Sequence, residues 1–251
     1  PPAFRPDWAR VRAALTPRTR LVIINSPQNP ACTCLERTDL DELATLLRDR
    51  GTWVISDEVY QHVVFDGRRH ASVLAHPELR SRSIAVFSFG KTLHATGLRV
   101  GFAVAPPALS AELRKVHQFN TFSIASALQQ GIADYLAARP DWGAELAAFF
   151  VSRRDRLRAE LEGAGFALPP AQGTYFQLLD YGARSGEGDV AFAGRLLSEA
   201  GVASIPLSPF YREPPADLRC LRLCFAKREA TLVEGARRIR AWAARGGGAA
   251  P

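Results

Sequence analysis

The sequence contains no methionine, only four cysteines in 251 residues, and only three lysines among 32 basic side chains. No stretch approaches the ~20 consecutive apolar residues that a membrane-spanning helix needs. The opening Pro1-Pro2-Ala3-Phe4-Arg5-Pro6-Asp7 lacks both the basic head and the apolar centre of a secretory signal. With no methionine anywhere, the chain reads as part of a longer polypeptide. Cys32-x-Cys34 and Cys220-x3-Cys224 lack the spacing of a zinc knuckle, and without a secretory context they read as reduced thiols of a cytoplasmic protein. The histidines (His62, His70, His76, His94 and His117) show no metal-ligand spacing either, so no metal is expected, and only His94 falls near the candidate site below. Net charge is +7, but the arginines are scattered and no basic tract carries stacking aromatics, which argues against a nucleic-acid partner. Lysine scarcity has the sharpest consequence. An amine nucleophile can only be Lys91, Lys115 or Lys227, because arginine stays protonated at any working pH.

What is present begins with three apolar, β-branched runs, 21–24, 53–55 and 84–87, about 31 residues apart, the size of a strand–helix–strand unit. Each is apolar throughout, as strands of a parallel sheet buried on both faces are. Leu40, Leu43, Leu46 and Leu47 give the stripe of a helix between the first two, with Thr38 as its cap, Asp41 three residues on, and Gly51 after its end. A short helical piece is expected at 77–80 and a fourth strand at 100–105. Helices are then expected at 109–116, 125–138 and 142–161. The texture changes beyond Gly163 and Gly165: strands at 173–179, 202–206 and 220–225 alternate with helices at 190–200 and 229–244, the pattern of a smaller α+β domain.

Polar residues follow each of the first three runs at once: Asn25-Ser26-Pro27-Gln28-Asn29-Pro30, Ser56-Asp57-Glu58-Val59-Tyr60 and Ser88-Phe89-Gly90-Lys91-Thr92. In an open α/β sheet the ligand crevice lies beyond the carboxyl ends of the strands, so an amide, a carboxylate with a phenol three residues on, and a lysine should converge there. Gly90-Lys91-Thr92 superficially resembles the end of a phosphate-binding loop. Ala85 stands where that motif needs glycine, and Val-Phe-Ser-Phe extends a strand rather than curling round a phosphate.

Asn-Pro-x-Asn-Pro, Asp-Glu-x-Tyr and Ser-x-Gly-Lys, with an arginine eight residues beyond the lysine, form a series that resembles the class I/II aminotransferases. These are fold-type I enzymes dependent on pyridoxal 5′-phosphate. The stretches Arg114-Lys115-Val116-His117-Gln118-Phe119 and Leu221-Arg222-Leu223-Cys224-Phe225-Ala226-Lys227 are similar to the branch holding the methionine and kynurenine aminotransferases. The resemblance runs from Pro1 to about Trp242. It implies a three-layer, aspartate-aminotransferase-like α/β large domain, partial here (1–140), a small α+β domain (141–245), and a disordered tail (246–251).

The resemblance also assigns roles. Lys91 would bond to the cofactor aldehyde and later shuttle the substrate proton. Asp57 would pair with the pyridine nitrogen, Tyr60 and Asn29 with the phenolic oxygen, and Ser88 and Arg99 with the phosphate. Arg222, with Asn29, would hold the substrate carboxylate. Lys115 and Lys227 follow no strand-end glycine turn and read as surface lysines. The implied reaction moves an amino group from an L-amino acid (methionine, aromatic or kynurenine-like) to a 2-oxo acid, in a homodimer. Gln28 and Ala31-Cys32 stand where relatives often carry His and Thr-Gly. The N-terminal segment of such enzymes, with its phosphate loop and ring-stacking aromatic, has no counterpart before Leu21, so exposed apolar faces are expected. The same residues would serve β-elimination from a cysteine S-conjugate, and an inactive fragment is the third reading.

Overall fold

In a computed structural model, which describes residues 3–248, the chain divides into two compact units. The first comprises Arg5–Pro27 and Cys34–Ala147; the second comprises Pro1–Phe4, Gln28–Thr33 and Ala148–Pro251.

The first unit opens with α1 (Trp8–Ala14) and holds β1 (Leu21–Asn25), α2 (Arg37–Leu47), β2 (Trp53–Asp57) and β3 (Ser83–Ser88). It continues through a short helical turn, α3 (Phe89–Thr92), to β4 (Gly101–Val104), α4 (Pro107–Asn120) and α5 (Ser126–Ala138). The sheet order is β1-β2-β3-β4: the first three strands are parallel and β4 returns antiparallel to β3. Asn25 lies beside Asp57, and Asp57 beside Val86, so β1 and β2 end level and β3 runs two residues further to Ser88. Leu40, Leu43 and Leu47 of α2 pack with Val54, Val73, Leu79, Ala85 and Phe87 into the core. Each buried leucine there contributes about 1.5–3 kcal/mol.

Two local expectations are corrected. The cap of helix α2 is Glu36, two residues before the expected Thr38, because Asp39 rather than Asp41 turns back on the chain. The Asp39 carboxylate accepts the Glu36 N–H at 2.8 Å and is itself held by Arg5 and by Trp8 Nε1. Nor are the strands buried on both faces. Ile23 is 67% exposed, and Leu21 and Trp53 also face outward, because among the described residues no element covers that side. Apolar side chains on α4 and just beyond it are bare too: Val116, Phe119 and Phe122. This exposure is the one the sequence led us to expect.

The unit boundary falls inside α6 (Trp142–Leu161), seven residues past the 140/141 division expected from sequence. The second unit then contains β5 (Phe176–Asp180), α7 (Asp189–Ala200), β6 (Ile205–Pro206), β7 (Cys220–Cys224) and α8 (Glu229–Ala244). Its sheet is antiparallel, with β7 between β5 and β6. The strand expected at 173–179 starts only at Phe176, since Thr174 takes a left-handed φ of 68° that breaks the extended run. The strand expected at 202–206 shrinks to two residues. Helix α7 ends as its sequence requires, with Gly201 left-handed and its N–H bonded to Leu197 O. Tyr181 stacks on Phe192 at 3.7 Å between centroids, and Phe192 meets Trp242 edge-on. Beyond α8, Gly247 N–H bonds back to Trp242 O, and Arg184 donates to Gly247 O at 3.0 Å. Of the tail expected to be disordered, residues 246–248 are placed by these contacts; Ala249–Pro251 lie outside the described residues.

Candidate functional site

Three strand ends of the first unit carry candidate groups. Asp57 closes β2, half-buried. Its carbonyl accepts the Ser26 N–H (3.1 Å) and Asn25 Nδ2 (2.9 Å), which tie it to the end of β1, and its Oδ1 accepts the Val59 N–H at 3.2 Å. Tyr60, three residues on, is 3% exposed. Ser88 closes β3 opposite Gly101, and Lys91 follows on α3. Glycine is required at 90, where a Cβ would stand 2.9 Å from Thr96 Cα, so the chain bearing Lys91 folds tightly on residues 95–96. Arg99 is exposed, holds a left-handed φ of 55°, and donates to Thr96 O at 3.1 Å. A left-handed arginine stores backbone strain of about 1–3 kcal/mol, a common feature of ligand sites.

The three lysines separate as the sequence suggested. Lys91 is half-buried and its Nζ has no hydrogen-bond or ion-pair partner among the described residues. Lys115 lies on the surface, paired with Glu112 at 2.7 Å, and Lys227 is exposed. No ion pair joins Lys91 to Asp57: the two charges occupy neighbouring strand ends without neutralising each other. His94 is exposed, with a left-handed φ of 53°. Next to these residues a cavity of about 210 Å³ is lined by Val59, His62, Phe87, Ser88, Phe102 and Trp142 among others. His62 packs on Trp142 with centroids 4.5 Å apart, and burial, helped by the nearby His70, pushes its pKa down.

In the second unit the structure brings Asn29 and Arg222 together: an Arg222 guanidinium N–H donates to Asn29 Oδ1. Arg222 sits in mid-strand, paired with Leu178 on β5 and Ile205 on β6. Its Cζ lies 4.1 Å from the centre of the Phe176 ring, while its buried Nε has no partner among the described residues. Among the described residues no carboxylate pairs with this guanidinium, which leaves donors for a bidentate anion. Phe176 is the contact that sequence reasoning missed. The signal was its place two residues from Leu178, on the sheet face that Arg222 shares once β5 and β7 pair.

None of the four cysteines forms a disulfide among the described residues. Burial pushes Cys34 up to about 11 and Cys220 up to about 12, which makes both poor nucleophiles. Among the described residues there is no cluster of metal-ligating side chains, and no helix is long and apolar enough to cross a membrane.

Comparison with known proteins matches residues 1–239 to the family model described as Aminotransferase class I and II. The chain is 48% identical to methionine aminotransferase from Escherichia coli (strain K12) over 241 residues, 96% of this chain and 62% of that protein. It is 30% identical to kynurenine–oxoglutarate transaminase 1 of Rattus norvegicus, covering 94% of this chain and 62% of that one. A solved structure of YbdL from Escherichia coli, described as having a methionine aminotransferase function, superposes with a TM-score of 0.93 at 48% identity. That match covers 96% of this chain and 63% of that one. The chain therefore spans somewhat under two thirds of the relatives it resembles.

Proposed function

The chain belongs to the class I and II aminotransferases, with their aspartate-aminotransferase-like fold, and on that premise we propose that it carries most of the site of a pyridoxal 5′-phosphate-dependent transaminase. Amino groups would pass from an L-amino acid to a 2-oxo acid. The observation that carries this reading is the set of adjacent strand ends, Asn25 level with Asp57 and Ser88 two residues further along β3, with the Lys91 amine, unpaired among the described residues, just beyond.

The donor set suits the cofactor. An aldehyde needs a lysine without a carboxylate partner, a protonated ring nitrogen needs a carboxylate, and a phosphate dianion needs cations and hydroxyls. Lys91, Asp57, and Arg99 with Ser88 meet these needs in turn, and neither cation is neutralised by an acid among the described residues. Bound there, pyridoxal 5′-phosphate supplies an electron sink that lets the substrate Cα–H bond break.

Lys91 would hold the cofactor through its aldehyde, and its amine would serve as the acid and base for the substrate Cα proton. Asp57 would pair with the ring nitrogen and keep it protonated. As the family resemblance implies, Tyr60 and Asn29 would each be a donor to the phenolic oxygen, and Ser88 and Arg99 would hold the phosphate. Arg222, steadied by Phe176 and Asn29, orients the substrate through its α-carboxylate. Methionine, aromatic amino acids and kynurenine are the donors suggested by the relatives' names; β-elimination finds no support among those names. A homodimer and a cytoplasmic location belong to the same reading, the absence of disulfides among the described cysteines suiting a reducing compartment.

Borohydride reduction after incubation with pyridoxal 5′-phosphate, followed by peptide mapping, tests this assignment. The label should fall on Lys91 and vanish in Lys91→Ala. A label on Lys115 or Lys227, or none at all, would overturn it.

A further inference from the structure

Between Asp57 and Tyr60 lies a residue with no part in the chemistry above. Glu58 is fully buried, an unusual place for a carboxylate unless it is bound on several sides. Its main chain is pinned twice, by N–H to Val86 O at 2.9 Å and by Gln61 N–H to its own carbonyl at 2.9 Å. Its side chain lies on the same side as Ser56, as alternation along an extended chain requires, and Ser56 Oγ donates to Oε1 at 2.9 Å.

The remaining bonds come from a segment that has no regular structure until Val73. The Val73 N–H donates to Oε1 at 3.0 Å, and His70 Nε2 donates to Oε2 at 2.7 Å. The other ring nitrogen, His70 Nδ1, is buried without a partner among the described residues. The imidazole is thus oriented through one strong bond alone, the bond to Glu58. Burial pushes the Glu58 carboxyl up, but the bonds from His70, Ser72 and the Val73 N–H more than offset this and hold it below its ordinary range.

We propose that Glu58 and His70 are positioning residues, whose bond clamps the turn at 57–60 onto the segment at 70–73 and so fixes the Asp57 carboxylate and the Tyr60 phenol for the cofactor. The carboxylate that would meet the ring nitrogen is held locally only by the Val59 N–H, the very next residue after Glu58. A turn released from its clamp would leave Asp57 tied through its carbonyl but not through its side chain. The inference rests on the reading that Asp57 and Tyr60 serve pyridoxal 5′-phosphate.

The test uses the 251-residue chain with His70→Ala, His70→Gln and Glu58→Gln. Two quantities are followed: amide hydrogen exchange at Val59 and Gln61, and the affinity for pyridoxal 5′-phosphate. In His70→Ala, exchange at those amides should rise about tenfold while the amides of β7 stay unchanged, since opening is local. Cofactor affinity should fall by a similar factor, as it should in Glu58→Gln. His70→Gln, whose Nε2 can stand where the imidazole nitrogen stood, should restore both. Unchanged exchange in His70→Ala, a loss spread equally over β7, or no rescue by glutamine would overturn the clamp. Uptake of the cofactor by wild type and His70→Ala with equal affinity would overturn this inference alone. A wild-type chain that takes up none would overturn the functional reading and, with it, the clamp's role toward a cofactor.

Discussion

The two units present chemistry in opposite ways. In the first, β1 and β2 stop level and β3 runs two residues further, and the candidate groups stand at or just after a strand end, Asp57, Ser88, then Tyr60 and Lys91, with Arg99 just before β4 begins. In the second, the one candidate cation, Arg222, lies in the middle of an antiparallel strand, where its neighbours on β5 and β6 dictate its direction. The packing differs to match. Strand β5 is buried at four consecutive positions, whereas β1 alternates and β4 is exposed throughout. A sheet that delivers residues from its ends can leave a face bare without disturbing them. A sheet that delivers a residue from its middle needs the strands on either side.

The sharpest way to break that contrast is to empty each core in turn. Leu43 and Leu221 are both wholly buried, so Leu43→Ala and Leu221→Ala should each destabilise by about 2–5 kcal/mol, read by denaturant unfolding. Hydrogen exchange should rise in β1–β3 for the first variant and in β5–β7 for the second. If both variants loosened both sheets equally, the units would be one cooperative block and the contrast only topological. Next in size is Arg222→Lys, which keeps the charge and loses the planar fork. Affinity for an amino-acid carboxylate should drop by about 10–100-fold, or ~1.5–3 kcal/mol, with covalent labelling of Lys91 unchanged. Equal affinity would show that mid-strand placement is not what orients the guanidinium.

The same contrast explains what could be read from the chain. Strand ends are legible because the apolar run and the polar residue after it are adjacent in sequence; scarcity of lysine left three candidates, and the strand-end glycine turn singled out Lys91 before any fold was known. Arg222 was reached only by resemblance. Its stacking on Phe176 depends on a pairing between segments more than 40 residues apart in sequence. Glu58 was passed over for a related reason: beside Asp57 it looks like one more strand-end acid, and only residues 70–73 reveal that it faces inward. The start of α2 was misplaced because Glu36–Asp39 and Thr38–Asp41 both offer an acid three residues on. Contacts from Arg5 and Trp8, more than 30 residues upstream of Asp39, decide between them.

Acid should weaken the first unit by a route that runs through Glu58. Its carboxyl is held below the ordinary value of 4.5 in the folded chain, so the folded state binds that proton less readily than the unfolded one. The stability gained is therefore complete above about pH 4.5 and drains away as pH falls through the lowered value. Glu58→Gln should flatten this acid limb at β2, measured by exchange or unfolding from pH 6 to pH 3. An unchanged limb would mean that other carboxylates govern it.

The smallest effect should come from the bare face itself. Ile23 is 67% exposed on β1, so burial gives it little to lose, and Ile23→Ser should alter stability by no more than about 0.5 kcal/mol while reducing aggregation. By contrast, a polar substitution at Leu178, which is 1% exposed on β5, would leave a hydroxyl inside the second sheet without a designed partner and should unfold it locally. The comparison is sharp because both side chains are aliphatic and both sit in five-residue strands, so only the covering differs. Should Ile23→Ser prove as damaging as a core change at any concentration, then that face is covered in solution. The difference between the units would then lie in the assembly and not in the chain.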